Sequence, residues 1–325
     1  MGLGEWMERE IRAQPEVLAA KSEEYGQLSG WLANQRPDLV LLAARGSSDN
    51  AALYARYLIE IHLGIPVVLA APSVLTRYGS RVNYPGRTLA IGISQSGAAP
   101  DVAEVLAALR EQGHATLAIT NTQGSRLTQV AEQSLLLNVG EEKSIAATKT
   151  YTASLLALAQ VVRGLAAGMG RDDELPDPAA YLPTEEWMET TRTAARRNSW
   201  AIIRCSPVFT LARGYGYATA LETALKLMEC ALISAKSYST ADFEHGPKAL
   251  LGESVACVVY GEVPASLAGT GAVAVPAPAI PDYVPALYHP LWDVIFGQWL
   301  ALRAARARGY DPDAAQNLSK VTKTL

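Results

Sequence analysis

Short apolar runs alternate with amphipathic stretches from residue 38 onward, and this rhythm limits the chain to very few folds. Residues 38–44 (DLVLLAA) have the unbroken apolar character of a strand buried on both faces. The run ends at Arg45-Gly46-Ser47-Ser48, and a helical stretch carries on to about Leu63. Strands are predicted at 65–70, 87–94, 115–120 and 134–139, with helices at 100–112 and 147–169. Strand, turn and helix repeated in this order build a parallel sheet covered by helices on both sides.

Residues 170–183 (GRDDELPDPAAYLP) are polar and carry three prolines, which is linker composition. A second α/β pattern follows, with strands predicted at 206–212, 254–260 and 272–275 and helices at 215–233 and 290–308. Ala44-Arg45-Gly46 recurs as Ala212-Arg213-Gly214 at the end of the first strand of each half. Ala52-Leu53 and Ala220-Leu221 keep the same register, so the halves read as two copies of one fold. A chain of 325 residues suits two such domains better than one core.

A net charge of −4 without any Lys/Arg cluster argues against a nucleic-acid partner. A small anion remains compatible, because backbone amides at a helix start hold phosphate without a basic patch. Three cysteines with no metal-type spacing point to reduced thiols, a cytoplasmic setting and no metal or cofactor. The first residues lack a signal pattern, and the long apolar helix is broken by Gln160 and Arg163, so no membrane span is expected.

Four places carry candidate chemistry. Arg45-Gly46-Ser47-Ser48 and Ser94-Gln95-Ser96-Gly97 each sit between a strand and a helix, where amides and hydroxyls form an anion site. Serines there also serve as plain N-caps, but two such turns on one sheet edge favour a ligand. Lys226 and Glu229 share a helix face. An ordinary surface ion pair would explain them, except that residues 218–233 are otherwise apolar apart from Glu222, which suits a cleft better. His245 precedes Gly246-Pro247, a turn able to aim the imidazole or simply to leave it in solvent.

Ser94-Gln95-Ser96-Gly97, residues 224–229 (ALKLME), His245-Gly246-Pro247 and Asn317-Leu318-Ser319-Lys320 together resemble the isomerase half of glucosamine-6-phosphate synthase, from Met7 to the tail. The resemblance implies two tandem sugar-isomerase (SIS) domains, each a flavodoxin-like, doubly wound parallel sheet flanked by helices. It assigns phosphate and sugar binding to Ser48, Ser94, Gln95 and Ser96. Glu229 matches the base that moves a proton between C1 and C2, Lys226 a helper beside it, and His245 a ring-opening group supplied by the partner subunit. Lys320 matches a lysine that forms a Schiff base with the open-chain ketose. Each role suits the side chain concerned.

Departures from that pattern are informative. Gly2 stands where the synthase has a nucleophilic cysteine, so glutamine hydrolysis is not expected. Ala98-Ala99 replace a Glu-Thr pair, and Ala147, in the Ala146-Ala147-Thr148-Lys149 run, replaces a substrate-binding serine. Residues 252–288 are short by about one helix, so the second domain should be trimmed on one face. Residues 44–49, 71–74, Pro100-Asp101 and 142–149 are similar to type II glucosamine-6-phosphate deaminases. The expected organisation is a helical segment at 1–36, SIS domains at 37–170 and 185–308 joined by a linker at 171–184, and an active-site tail at 309–325. The resemblance further implies a homodimer that acts on glucosamine 6-phosphate and fructose 6-phosphate. An isomerase fed with ammonia by another protein, and a non-catalytic sugar-phosphate sensor, are the competing expectations.

Overall fold

A computed structural model describes residues 2–171 and 174–320. Residues 172 and 173 of the expected linker and 321–325 of the expected tail lie outside the described residues. The chain divides into two compact units, one built from Glu16–Glu141 and Thr150–Ala180, the other from Met1–Pro15, Glu142–Lys149 and Tyr181–Lys320.

The first unit holds a five-stranded parallel sheet of β1 (Leu39–Ala43), β2 (Val67–Leu69), β3 (Thr88–Ile93), β4 (Ala115–Thr120) and β5 (Gln133–Leu136), in the order β2-β1-β3-β4-β5. That is the flavodoxin-like, doubly wound order, with its switch point between β1 and β3. Val40 pairs with Leu89 and Leu42 with Ile91 across that point. Every residue of β3 is buried, as its apolar run predicts. Leu41, Ala43, Ala90 and Ala118 form one face, packed on Val102, Val105, Leu106 and Leu109 of α6 (Pro100–Glu111) and Leu127 of α7 (Arg126–Val130). Helices α4 (Ser47–Leu58) and α5 (Ser73–Thr76) follow β1 and β2, and α8 (Lys149–Gly168) follows β5. Helices α2 (Gln14–Lys21) and α3 (Ser29–Gln35) precede the sheet, and Tyr25 between them donates from its hydroxyl to the Leu137 carbonyl. The helix expected to reach residue 63 turns from α to π geometry at Ile59–Leu63 and stops at Gly64.

The second unit has four parallel strands, β6 (Val208–Ala212), β7 (Ala235–Ser239), β8 (Ala256–Val259) and β9 (Val273–Pro276), in the order β7-β6-β8-β9. It is the first sheet's order without the fifth strand. On one side α10 (Tyr217–Ala231) and α9 (Glu185–Ile203) both pack against α12 (His289–Ala307), which is buried on nearly all its faces. The other side is a smaller cluster of Phe209, Leu211, Phe243, Cys257, Val259 and Leu267 under α11 (Thr240–Glu244). Only a single 3₁₀ turn, Ala265–Leu267, lies between β8 and β9, so this domain is trimmed where the short 252–288 segment predicted. Sequence periodicity missed α9 and β7. Helix α9 is largely polar, and β7 (AKSYS) is an edge strand with only two of its five residues buried. Helix α1 (Glu5–Arg12) packs on α12, and the backbone N–H groups of Trp6 and Met7 donate to Asp313.

Candidate functional site

In the first unit both serine turns fall at the carboxyl ends of β1 and β3, which are hydrogen-bonded neighbours. Ser48 lies in the first turn of α4, after Gly46. Gly46 has φ +56° and ψ −130°, a conformation that strains any side chain. Ser94 is buried, and Gln95 and Ser96 are half-buried. The Gln95 carbonyl accepts from the Asn121 amide at 3.0 Å and the Thr120 hydroxyl at 3.2 Å, which fixes the turn to the end of β4. Gly97 is obligatory there, because its φ is +62° and a Cβ would lie 2.1 Å from Ser125 Oγ. Arg45 in the first turn pairs with Asp101, at the start of α6 beyond the second turn. The two turns are thus tied to each other at one edge of the sheet. Ala98-Ala99 add no hydroxyl to this edge.

In the second unit α10 carries Glu222, Lys226 and Glu229 at four- and three-residue spacing, which stacks them on one helix face. Lys226 is 1% exposed, Glu222 is fully buried, and Glu229 is 23% exposed. The Lys226 ammonium lies 3.4 Å from Glu222 Oε1 and also donates to Glu229 Oε2. Burial opposes its charge, but the two carboxylates outweigh burial and hold its pKa above the ordinary lysine range. Lys226 is therefore a fixed cation that orients Glu229, and Glu229 is the member of the group with a face to solvent. Glu222 was visible in the sequence as the third ionisable residue of an apolar helix. What the sequence lacked was any sign that it is the buried counter-ion. Neighbouring Cys230 is buried, which pushes its thiol up to about 12 and leaves it unreactive.

Lys320 joins a second cluster in the same unit. Its Nζ donates to Glu142 Oε2 at 3.1 Å and to the Ser144 carbonyl. The Glu142 carboxylate is fully buried, and its Oε1 accepts the Thr148 amide at 3.0 Å. Glu10 of α1 accepts the amides of Lys143 and Ser144. Gln14 donates to Gln298 at 2.7 Å, and Gln298 donates to the Thr148 carbonyl at 3.2 Å. The loop 142–149, with half-buried Ala147 in it, is thereby clamped between α1 and α12. Burial first, and then the charge of Glu142, raise the Glu10 carboxyl to about 7 against the lowering effect of the two amides. Glu10 and Glu142 were not singled out as site residues from the sequence, since their partners lie more than 130 positions away.

His245 caps α11 and is exposed on a loop with Leu250, which is 61% exposed. It joins neither the Lys226 group nor the Lys320 cluster by any hydrogen bond among the described residues. No group of three or more His, Cys, Asp or Glu among the described residues is placed to hold a metal ion. No described helix is long and apolar enough to cross a membrane.

Residues 33–163 match the SIS domain family. The chain is 31% identical over 352 residues to the isomerizing glutamine–fructose-6-phosphate aminotransferase of Methanothermobacter thermautotrophicus, covering 98% of this chain and 57% of that protein. It spans about half the length of the curated relatives it matches, 50% and 57% for two of them. It superposes on the C-terminal domain of glucosamine-fructose-6-phosphate aminotransferase from Francisella tularensis with a TM-score of 0.80 at 22% identity, covering 94% of this chain and 97% of that one. For the glucosamine-6-phosphate deaminase of Thermotoga maritima the TM-score is 0.81 at 22% identity, with 98% and 100% covered. At such identities these two likenesses speak to the fold.

Proposed function

We propose, from the premise that this is a SIS-domain protein similar over nearly its whole length to part of the aminotransferases, that it is a sugar-phosphate isomerase. In finer terms we read it as an amino-sugar phosphate deaminase converting glucosamine 6-phosphate to fructose 6-phosphate and ammonia. The observation that carries this reading is the Lys226–Glu229 pair, a carboxylate with one open face oriented by a buried cation that cannot itself accept a proton. Proton transfer between adjacent carbons needs one such base, able to take a proton from one carbon and return it to the next.

The steps follow from ordinary sugar chemistry. Ser48, Ser94, Gln95 and Ser96 receive the phosphate, and Ala147 belongs to the sugar-binding loop. His245, from a partner subunit of a homodimer, opens the ring by moving the proton of the anomeric hydroxyl to the ring oxygen. Glu229 removes the proton from C2 and returns it at C1 while a proton passes from the C2 ammonium to O1, which leaves a hydroxyl at C1 and an iminium at C2. The Lys320 amine displaces ammonia from C2, and water releases fructose 6-phosphate from the resulting imine. No metal or cofactor is required for any of these steps. We place the enzyme in the cytoplasm, where its three free thiols stay reduced.

Fructose 6-phosphate and ammonia can also recombine by the same steps in reverse, and similarity to the aminotransferases favours that direction as the second reading. Incubation with glucosamine 6-phosphate should release ammonia and fructose 6-phosphate in equal amounts. Glu229→Gln should slow this by about 10²–10⁴-fold while binding persists. Tight binding of the sugar phosphate with no turnover in either direction would instead identify a sensor.

A further inference from the structure

The Lys320 cluster raises a problem of protonation. A lysine attacks a carbonyl only as the free amine, yet Lys320 Nζ donates to two acceptors, Glu142 Oε2 and the Ser144 carbonyl. Its pairing with Glu142 also suggests a solution. The Glu142 carboxylate has no exposed surface, and its second oxygen already accepts the Thr148 amide. A carboxylate in direct contact with an amine nitrogen is placed to take its proton without a relay. Glu10 comes from α1 and faces both Glu142 and Lys149, whereas Lys143 turns away, with its ammonium 4.0 Å over the Trp6 ring.

We propose that Glu142 is a further catalytic residue, the proton acceptor and donor for Lys320 during imine formation. This rests on the Schiff-base role given to Lys320 above. The proton passes from Lys320 Nζ to Glu142 Oε2, which leaves a neutral amine and a carboxylic acid. The nitrogen lone pair then attacks C2 of the open-chain ketose, and a proton shift from nitrogen to oxygen yields a carbinolamine. Glu142 returns its proton to the carbinolamine hydroxyl, the C–O bond breaks, and water leaves. An iminium on Lys320 and the Glu142 carboxylate remain, so the carboxylate is regenerated and no other reactant is consumed. Glu10, through the amides of Lys143 and Ser144, is a positioning residue for the loop that carries this base.

The test is borohydride trapping with fructose 6-phosphate on the full chain, followed by peptide mapping of Lys320 across pH 6–10. Wild-type protein should give a Lys320 adduct whose rate is already near its plateau at pH 7. Glu142→Gln should trap about 10²-fold more slowly at pH 7 and recover as pH rises toward the ordinary lysine range, where the amine deprotonates unaided. Equal rates for wild type and Glu142→Gln at pH 7 would overturn the role of Glu142 and leave the Schiff base standing. A wild-type rate that climbs about tenfold per pH unit up to about pH 10 would overturn it too, even if the variant fails to fold. No wild-type adduct at any pH would remove the Schiff-base reading and this proposal with it.

Discussion

Arg45 and Asp101 join two turns through one contact, with the guanidinium Nε 2.7 Å from Oδ2 of a carboxylate that is 2% exposed. Arg45 follows β1 and Asp101 follows the turn after β3, so the pair sets how closely the two serine turns approach. Asp101→Ala should weaken binding of fructose 6-phosphate by about tenfold, or about 1.4 kcal/mol, through lost preorganisation. Calorimetric titration would measure this, and an unchanged affinity would mean that the turns hold their geometry without the pair.

Gly97 offers a stricter test of the same edge. Gly97→Ala would place a methyl 2.1 Å from Ser125 Oγ on a backbone with φ +62°. The expected loss of stability is about 2 kcal/mol or more, from steric conflict added to the cost of left-handed geometry. Adding Ser125→Gly should recover the steric part and leave about 1–2 kcal/mol of backbone strain. Urea denaturation of both variants would check the partition.

Lys226 sits between Glu222 and Glu229 with almost no exposure. Lys226→Met should cost about 3–5 kcal/mol, because it strands the fully buried Glu222 carboxylate. Lys226→Met combined with Glu222→Leu should regain most of that stability, since an apolar pair replaces a buried ionic one. Activity should stay low in the double variant, as Glu229 would no longer be oriented. Denaturant melts alongside ammonia release would separate the two effects.

Two buried acids should govern how stability responds to pH. Burial raises the Asp293 carboxyl on α12 to about 8, and burial followed by Glu142 raises Glu10 to about 7. A folded pKa above the unfolded one means that the folded chain binds more protons between the two values. Stability is therefore fully present below the unfolded carboxylate range and is lost as pH rises through about 7 and 8. Melting temperatures should fall across pH 5–8.5, and Glu10→Gln with Asp293→Asn should flatten that slope. An unchanged slope in the double variant would remove these two groups as its cause.

Much of the first domain was legible because its strands are continuous apolar runs, such as 38–44 and 87–94, bounded by Gly and Ser turns. Both serine turns landed on adjacent strand ends for that reason. Strand β7 escaped because an edge strand with Lys236 and two half-buried residues lacks the buried pattern. Helix α9 escaped because its polar face dominates a 19-residue stretch. Lys226 and Glu229 were legible because helical spacing is a local property. The burial of Glu222, and the ties from Glu10 and Glu142 to the 142–149 loop and the tail, depend on tertiary packing that no local pattern records. His245 was legible as a turn residue, and it is exposed at the end of α11.

Trp6 and Met7 of helix α1 draw their hydrogen bonds from Asp313, about 300 positions later in the chain. At roughly 5–20 residues per second, α1 waits about 15–60 s for that partner. During the wait Met7 and Ile11, both fully buried in the finished protein, stay exposed to the cell. Newly made chains should therefore be caught by chaperones through α1 until Asp313 has been made. Slowing synthesis over the hundred codons before Asp313 should lengthen that vulnerable interval.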